Sequence, residues 1–309
     1  MRPPDIALKD IPLQPGEKLA REKFTAVIDA AGDSPLVDEA RLELAELYTQ
    51  RDEADAAIAL LKDAIAKDPT ADLAERLKIR LGTLYLARGD AKAAAAVAAE
   101  VLSSQRNAYA SYARVLATEA AYQQNDWAAT IEQAKPFLEM QRGAGRIQGV
   151  SDHALLRMAD AQGQLGQWQD AKQTLDAWFT RFQGSPLTYD AKFAYGWINE
   201  NLKDPAKAIA AYTEVATRNG GELGAKANLQ IGRLRLRQNQ PADAMGPLLT
   251  VAYAYDDPDL SPAAMCEAAT ALVQLNKPAD AKRLLERAVK DYPSSQWAAA
   301  ARKQLGEIK

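Results

Sequence analysis

A segment near the start of the chain contains the pattern from which we predict the fold: SPLVDEARLELAELYTQRDEADAAIALLKDAIAKDP, residues 34–69. Ser34 and Pro35 are typical of a helix start, because a serine hydroxyl accepts a backbone N–H and proline needs no partner at the first helical position. Apolar residues then recur at helical spacing over residues 35–50 and 53–67, and Pro69 ends the second run. The segment therefore predicts a helix A, a tight turn and a helix B.

Alanine marks the recurrence of this segment through the chain. One small residue stands at the same place in each predicted helix B: Ala20, Ala57, Ala94, Thr130, Ala171, Ala208, Ala244 and Ala281. The alanines are 36 or 37 residues apart, except for one interval of 77 that covers two periods and a short insertion. A small residue at a fixed period predicts a place where two helices cross closely, and such self-similarity is typical of stacked repeat units.

A second marker lies in helix A, 12 or 13 residues before the small residue of helix B. It is an apolar residue followed by a small one: Leu44-Ala45, Leu81-Gly82, Ala117-Thr118 (the degenerate member), Met158-Ala159, Tyr195-Gly196, Ile231-Gly232, Ala268-Ala269 and Leu305-Gly306. Turn residues separate the two markers in each unit, among them Gly89-Asp90, Lys203-Asp204-Pro205 and Asn276-Lys277-Pro278. No segment shows the alternation typical of strands between turns, so we predict an all-α fold.

The predicted organisation has five parts. They are an extended segment (1–14), a first array of a half unit and three units (15–140), a glycine-rich joint (141–150), a second array of four units (151–293) and a capping helix (294–309). Gly143, Gly145 and Gly149 predict a flexible joint, with a hinge between the two halves as the alternative; they follow a helix rather than a strand, so they do not form a dinucleotide motif. The first array opens on a helix B without its helix A. This half unit is compatible with a complete array and equally with a piece of a longer protein.

Composition excludes several classes of function. With 38 basic and 41 acidic residues and a net charge of −3, the chain has no global basic field for nucleic acid. No apolar run approaches the roughly 20 residues of a membrane span. Since no targeting segment stands at the N-terminus, we expect either a cytoplasmic protein or a targeting segment outside this sequence.

Candidate catalytic and metal-binding residues are few. The only histidine, His153, has no serine or cysteine nucleophile at a recognisable spacing, and we interpret it as a surface or groove residue. The only cysteine, Cys266, cannot form an intrachain disulfide and has no partners for a metal site, so we interpret it as a small apolar filler. We therefore expect no enzyme activity, no cofactor and no metal.

The two markers resemble the tetratricopeptide repeat. That family has an apolar–small pair and a tyrosine in helix A, then an alanine, a large apolar residue and a second alanine in helix B, then a proline. Here those places are filled by Leu44-Ala45, Tyr48, Ala57, Leu61, Ala64 and Pro69. The resemblance covers residues 17–307 in seven full units and implies a right-handed superhelical α-solenoid. The unit is longer than the usual length of about 34 residues, and the family's large aromatic residue early in helix A is absent.

The long period and phrases such as Asp291-Tyr292-Pro293 also resemble the bacterial envelope branch of this family. That branch includes the outer-membrane-assembly lipoprotein and the Tol-Pal coordinator. This second resemblance implies a periplasmic or cell-envelope location, with the cytoplasm as the alternative.

The family resemblance also implies a binding groove, because helix A lines the concave surface of such repeats. The residues that fall on this stripe are Tyr112, Glu119, Tyr122, Phe193, Trp197, Glu200, Lys226, Arg233 and Arg237. Two aromatic rings beside a basic ridge would suit an acidic peptide or a C-terminal carboxylate, since arginine binds the anion and the rings bury apolar side chains. The alternative is that the arginines are a solvated face and that Phe193 and Trp197 pack on adjacent helices. Trp127 and Trp168, at the A–B turns, are predicted to hold helix B onto its start.

Two functions remain open from the sequence. The leading one is a non-enzymatic scaffold that binds a protein or peptide partner in a preformed groove. The alternative is a structural spacer or assembly subunit of a larger envelope complex that acts through its edges. The sequence determines neither the partner nor the oligomeric state.

Overall fold

The computed structural model describes residues 8–30, 34–67, 69–104, 108–140 and 147–308. These residues form a 3₁₀ turn, Leu8–Asp10, and sixteen α-helices, and contain no strand. The helices are α1 (Pro15–Ala30), α2 (Pro35–Thr49), α3 (Ala54–Ala66), α4 (Ala71–Ala87), α5 (Ala91–Ser103), α6 (Ala110–Gln123), α7 (Trp127–Glu139), α8 (Ser151–Gln164), α9 (Trp168–Arg181), α10 (Thr188–Asn201), α11 (Pro205–Arg218), α12 (Glu222–Arg237), α13 (Pro241–Ala254), α14 (Leu260–Gln274), α15 (Pro278–Asp291) and α16 (Gln296–Glu307). The predicted all-α fold is confirmed.

The chain divides into two compact units, Met1–Leu165 and Gly166–Lys309. In each unit the even-numbered helices are the predicted helices A and the odd-numbered helices are the predicted helices B. The predicted joint lies earlier than this division; its residues 141–146 lie outside the described residues, and Gly149 has a φ of +80°. The five-part organisation stays a prediction.

Short polar side chains cap several of the helices, and the cap at Ser34 is the one that the sequence indicated. The Ser34 hydroxyl accepts the backbone N–H of Leu36 at 3.3 Å, and proline opens α2. Asp90, Asp126 and Asp204 each accept the N–H of the third residue after them, at 3.0–3.1 Å, and so cap α5, α7 and α11. These bonds satisfy donors that the first helical turn leaves free.

Each turn from a helix A to a helix B contains a residue in the left-handed region. The φ values lie between +57° and +76° at Asp52, Gly89, Asn125, Gly166, Lys203, Asn239 and Asn276. Such a residue lets the next N–H turn back to the last helical turn, as when Glu53 donates to the Tyr48 carbonyl at 2.9 Å. Glycine adopts this conformation without strain, and asparagine and aspartate adopt it more readily than other residues, whereas the backbone at Lys203 is strained in it.

The periodic small residues lie at helix crossings, as predicted. Ala57, Ala94, Thr130, Ala171, Ala208, Ala244 and Ala281 all have 0% of their surface exposed. The glycine of the helix-A marker shows how close the crossing is: a Cβ on Gly196 would lie 2.6 Å from the Tyr212 ring, and one on Gly232 would overlap Leu248. Ala20 is only half-buried, because no described helix precedes α1 to cover it.

The helices A of each unit crowd together on one side. Within the first unit α4 contacts α6 and α6 contacts α8, and within the second α12 contacts α14 and α14 contacts α16. In the described parts of the chain, no two helices B make more than a marginal contact. The surface formed by the helices A, here called the helix-A face, is therefore the inner side of each unit. None of the described helices combines the length and the apolar composition that crossing a membrane requires.

Candidate partner-binding grooves

The helix-A face of the second unit has a cleft of about 510 Å³ between α12 and α14. Its walls are formed by Gln230, Arg233, Leu236 and Arg237 of α12 and by Glu267 and Thr270 of α14. Helical spacing explains the first four, since residues three or four apart share one side of a helix. Two of the predicted groove residues, Arg233 and Arg237, thus line the same cleft.

The cleft continues into a larger and more apolar one. Thr270 also lines a neighbouring cleft of about 830 Å³, whose walls come from α14, α16 and the start of α15. Ala269, Val273, Pro278 and Ile308 supply its apolar surface, and Val273 is 44% exposed. Together the two clefts form one groove, here called the second-unit groove. It is polar at α12 and more apolar beyond Thr270, although Gln304 and Glu307 of α16 also line it.

Each of the three predicted basic residues in the second unit has a carboxylate partner in the chain, and Lys226 lines neither of the two clefts. Arg233 Nε lies 3.1 Å from Glu267 Oε1, Lys226 Nζ lies 2.6 Å from Glu222 Oε1, and Arg237 is hydrogen-bonded to Glu200. The predicted basic ridge is therefore electrically balanced. Among the described residues each arginine uses one guanidinium nitrogen in its pair, so further N–H donors remain for a ligand.

The two predicted aromatic residues of the groove are half-buried and pack on other rings. The Phe193 ring centre lies 5.2 Å from that of Tyr212, and Trp197 makes an edge-to-face contact with Trp168 at 4.9 Å. This is the alternative that the sequence left open. Trp127 packs on Tyr122 across its own turn, at 5.4 Å. Trp168 packs on Trp197 of the next helix A, and a Cβ on Gly166 of its own turn would lie 3.9 Å from its Nε1.

The three remaining predicted residues lie in the first unit, so the predicted set is divided between two surfaces. Tyr112 is 43% exposed and lines a cleft of about 410 Å³ on α2, α4 and α6. Sequence reasoning missed the side chains that accompany it: Leu42, Glu43, Glu46, Arg76, Ile79, Arg80, Thr83 and Tyr109. Arg76 and Arg80 are paired with Glu39 and Glu46 of the preceding helix A.

Glu119 and Tyr122 belong to a charged cluster between α6 and α8. Arg157 holds both oxygens of Glu119, at 2.8 and 3.0 Å, and its guanidinium lies 4.1 Å from the centre of the Tyr122 ring. The Tyr122 hydroxyl donates to Asp160, and burial together with this carboxylate raises the pKa of Tyr122 to about 12. His153 Nδ1 lies 3.7 Å from Glu119, and burial lowers the pKa of this imidazole despite the nearby carboxylate. Glu119, Tyr122, Arg157 and Asp160 are therefore occupied with one another, whereas His153 Nδ1 makes no hydrogen bond among the described residues.

The other candidate reactive residue is enclosed. Cys266 is 2% exposed in α14, and burial raises the pKa of its thiol to about 11. Within the described ranges, no group of three histidine, cysteine, aspartate or glutamate side chains is placed to hold a metal ion.

Comparison with known proteins identifies the family to which this chain belongs. The tetratricopeptide repeat family model matches residues 18–72, 156–222 and 266–308, together more than half of the chain. The chain therefore belongs to the tetratricopeptide repeat family. A comparison with curated protein sequences finds no match.

Three solved structures illustrate the shared fold. A tetratricopeptide repeat protein from Parabacteroides merdae has 14% identity over 87% of this chain and 97% of its own, with a TM-score of 0.58. A STAND-class signal transduction ATPase with a tetratricopeptide repeat sensor, from Pyrococcus horikoshii, has 17% identity over 94% of this chain and 46% of its own, with a TM-score of 0.71. A Rap protein complexed with competence and sporulation factor has 11% identity over 95% and 97%, with a TM-score of 0.51.

Membership in this family defines the general class of function. Tetratricopeptide repeat arrays are typically non-enzymatic scaffolds for protein interaction, and the fold of this chain is that of such a scaffold.

Proposed function

We propose that the chain binds an extended segment of a partner protein in the second-unit groove. The observation that carries this proposal is the continuity of the groove through Thr270, from Arg233 and Arg237 to the apolar surface at Val273 and Ile308. A preformed groove loses little conformational entropy on binding, so the partner alone has to become ordered. Phe193 and Trp197 line neither cleft and pack on other rings, so they are not part of the proposed contact.

The partner we propose presents an acidic side chain or a C-terminal carboxylate to the two arginines and apolar side chains to the rest of the groove. Because Arg237 and Glu200 are paired, the partner's carboxylate has to share or replace an internal one. The Arg237 side chain is 55% exposed, and exposed ion pairs contribute only about 0–1 kcal/mol. A partner's carboxylate at Arg237 is screened by solvent in the same way, so exchange of one carboxylate for another is nearly neutral, and binding requires contacts with both arginines and with the apolar part of the groove.

A structure of similar fold supports a ligand-binding role in general terms. The Rap protein with a TM-score of 0.51 to this chain is complexed with competence and sporulation factor. The first-unit cleft around Tyr112 is a second, smaller candidate surface of the same kind.

The test is binding of a peptide library to the wild-type chain and to two double charge reversals. Arg233→Glu/Arg237→Glu changes the groove, and Arg283→Glu/Arg287→Glu is the matched control. The control also reverses two ion-paired arginines four residues apart. These arginines lie on α15, a helix B, and line neither cleft. We expect the groove variant to bind acidic–apolar peptides at least about tenfold more weakly, a loss of about 1.4 kcal/mol, and the control to bind normally. Equal binding by both variants would remove the groove assignment.

A second variant tests the exchange of carboxylates. Glu200→Gln leaves Arg237 without its internal carboxylate, so we expect acidic peptides to bind a few-fold more tightly. Peptides in which the carboxylates are replaced by amides should bind the variant and the wild type alike. A gain that is the same for both kinds of peptide would argue against an ionic contact with Arg237.

The alternative function, a spacer or assembly subunit acting through its edges, is favoured by one observation. Helix α1 exposes apolar side chains, with Leu19 54% and Val27 37% exposed. The envelope location stays a prediction that rests on resemblance.

A further inference from the structure

Helix α1 is a helix B whose apolar stripe is uncovered. The residue seven positions after the periodic small residue is at most 2% exposed in the other seven helices B: Ala64, Val101, Phe137, Trp178, Val215, Val251 and Ala288. The same position in α1 is Val27, which is 37% exposed. The residue four positions after the small residue shows the same difference. Tyr212 and Leu248 are fully buried at this position, whereas Phe24 of α1 is only half-buried. Among the described residues, no helix A makes on α1 the contact that the preceding helix A makes in a complete unit.

Helix α16 is a helix A whose complementary surface is open. Gly306 occupies the marker position of Gly196 and Gly232, against which Tyr212 and Leu248 of the following helix B are pressed. A Cβ added to Gly306 would meet no atom within 4 Å. The described residues therefore contain one half of this interface at α1 and the other half at α16.

A recurring ion pair fixes how the two halves would align. In three complete units a basic residue of helix A pairs with an acidic residue of helix B. The basic residue stands three positions before the apolar marker, and the acidic residue six positions after the small residue of helix B. The pairs are Arg41–Asp63 at 4.0 Å, Lys78–Glu100 at 2.8 Å and Lys192–Glu214 at 2.9 Å. The basic position in α16 is Arg302, which is exposed. In α1 the position that is acidic in those units is occupied by Ala26. The exposed carboxylates of Glu22 and Asp29 lie one turn to either side of it. In the alignment that the complete units use, Arg302 faces Ala26 and has to pair with Glu22 or Asp29 one turn away.

We propose that α16 of one copy of this chain docks on α1 of a second copy and completes the missing unit. Phe24 of the second copy then lies over Gly306 of the first, as Tyr212 lies over Gly196 within one copy. The contact is heterologous, so each added copy leaves one α1 face and one α16 face free, and association continues beyond a dimer. This self-association goes beyond partner binding in the second-unit groove and does not depend on it. One helix pair is smaller than the interfaces of about 1,200–2,000 Å² that hold stable complexes, so the association is expected to be weak.

Sedimentation of the full chain over the micromolar to millimolar range tests the proposal. The wild type should form dimers and larger species as its concentration rises. Val27→Glu puts a charge on the α1 stripe and Gly306→Leu fills the opening on α16, and each should weaken association at least about tenfold. Thr25→Glu, two residues from Val27 and so on the opposite side of α1, and Ala210→Leu, exposed on α11, are the matched controls that should associate like the wild type. Circular dichroism checks that all variants remain helical.

Mixing the two variants distinguishes this contact from other modes of self-association. Val27→Glu keeps a functional α16 and Gly306→Leu keeps a functional α1, so an equimolar mixture should form a dimer that does not grow. A contact between two α1 helices would instead leave Gly306→Leu associating like the wild type, which overturns the proposal. A wild type that stays monomeric throughout the concentration range also overturns it.

Discussion

Replacing Ala208 by leucine tests the helix crossing that recurs in every unit. Ala208 lies in α11, has 0% of its surface exposed, and belongs to a cluster with Ile209, Tyr212 and Val215 of the same helix. Ala227, Ile231 and Leu234 of α12 complete this cluster. A leucine at this position has to displace side chains that are themselves fully or nearly fully buried.

The expected loss of stability is about 1–3 kcal/mol, the usual cost of inserting methylene groups into a packed interior. Alanine and leucine are both strong helix formers, so intrinsic helix propensity contributes little to this difference. The control is Ala210→Leu, two residues further along α11, where the side chain is exposed. Surface substitutions usually change stability by less than about 0.5 kcal/mol, so the two variants should be clearly separated.

Urea unfolding followed by far-ultraviolet circular dichroism measures the difference. We expect a lower midpoint for Ala208→Leu and an unchanged midpoint for Ala210→Leu. Because repeat units share their interfaces, amide hydrogen exchange should also become faster in α10 and α12 of the first variant. If the two variants unfold at the same urea concentration, Ala208 does not mark a crossing and the repeat assignment is wrong.

Three further predictions concern single residues. Lys203→Gly should stabilise the chain by about 1 kcal/mol in urea unfolding, because Lys203 has a φ of +61° that glycine adopts without strain; Gly89→Ala should destabilise it by a similar amount. Burial lowers the pKa of His153 in the folded chain below its ordinary 6.5. As the pH falls, the imidazole is therefore protonated in the unfolded chain before it is protonated in the folded chain, and the free energy of unfolding should decrease as the pH drops through about 6.5. His153 is the only histidine, so His153→Gln should remove that slope from urea midpoints measured between about pH 5.5 and 7.5, and an unchanged slope would exclude this cause. Cys266, with a thiol pKa of about 11, should react with a thiol reagent at pH 8 far more slowly in the folded chain than in urea, and equal rates would contradict its burial.

Features that repeat within one hairpin could be predicted from the sequence. The small residues at the crossings, the Ser34 cap and the prolines at helix starts all follow from local spacing, and the structure confirms them. The family model and the solved structures of similar fold confirm the repeat family.

Contacts between successive helices A were not predicted, although the sequence contains a signal for them. Glu46 pairs with Arg80, Glu119 with Arg157 and Glu200 with Arg237, which are separations of 34, 38 and 37 residues. Residues about one period apart lie side by side on neighbouring helices A, so an acidic residue one period before or after an arginine predicts an ion pair. Spacing along α12 alone predicts a basic ridge at Arg233 and Arg237, whereas the structure has balanced pairs with Glu267 and Glu200.

The continuity of the second-unit groove could not be predicted in the same way. Thr270 and Val273 carry no chemical signature, and they line the groove only because α14 lies between α12 and α16. The volume of the groove and the exposure of its residues depend on the distances between helices. Residue spacing along the chain does not determine those distances.

Amide hydrogen exchange of the chain with and without a peptide selected from the library tests the central functional claim most directly. We expect the peptide to slow exchange in α12, α14 and α16, and to leave α11, α13 and the part of α15 beyond its first turn unchanged, because only the start of α15 lines the groove. Slower exchange confined to those three helices B would show that the partner binds the outer side and would contradict the account.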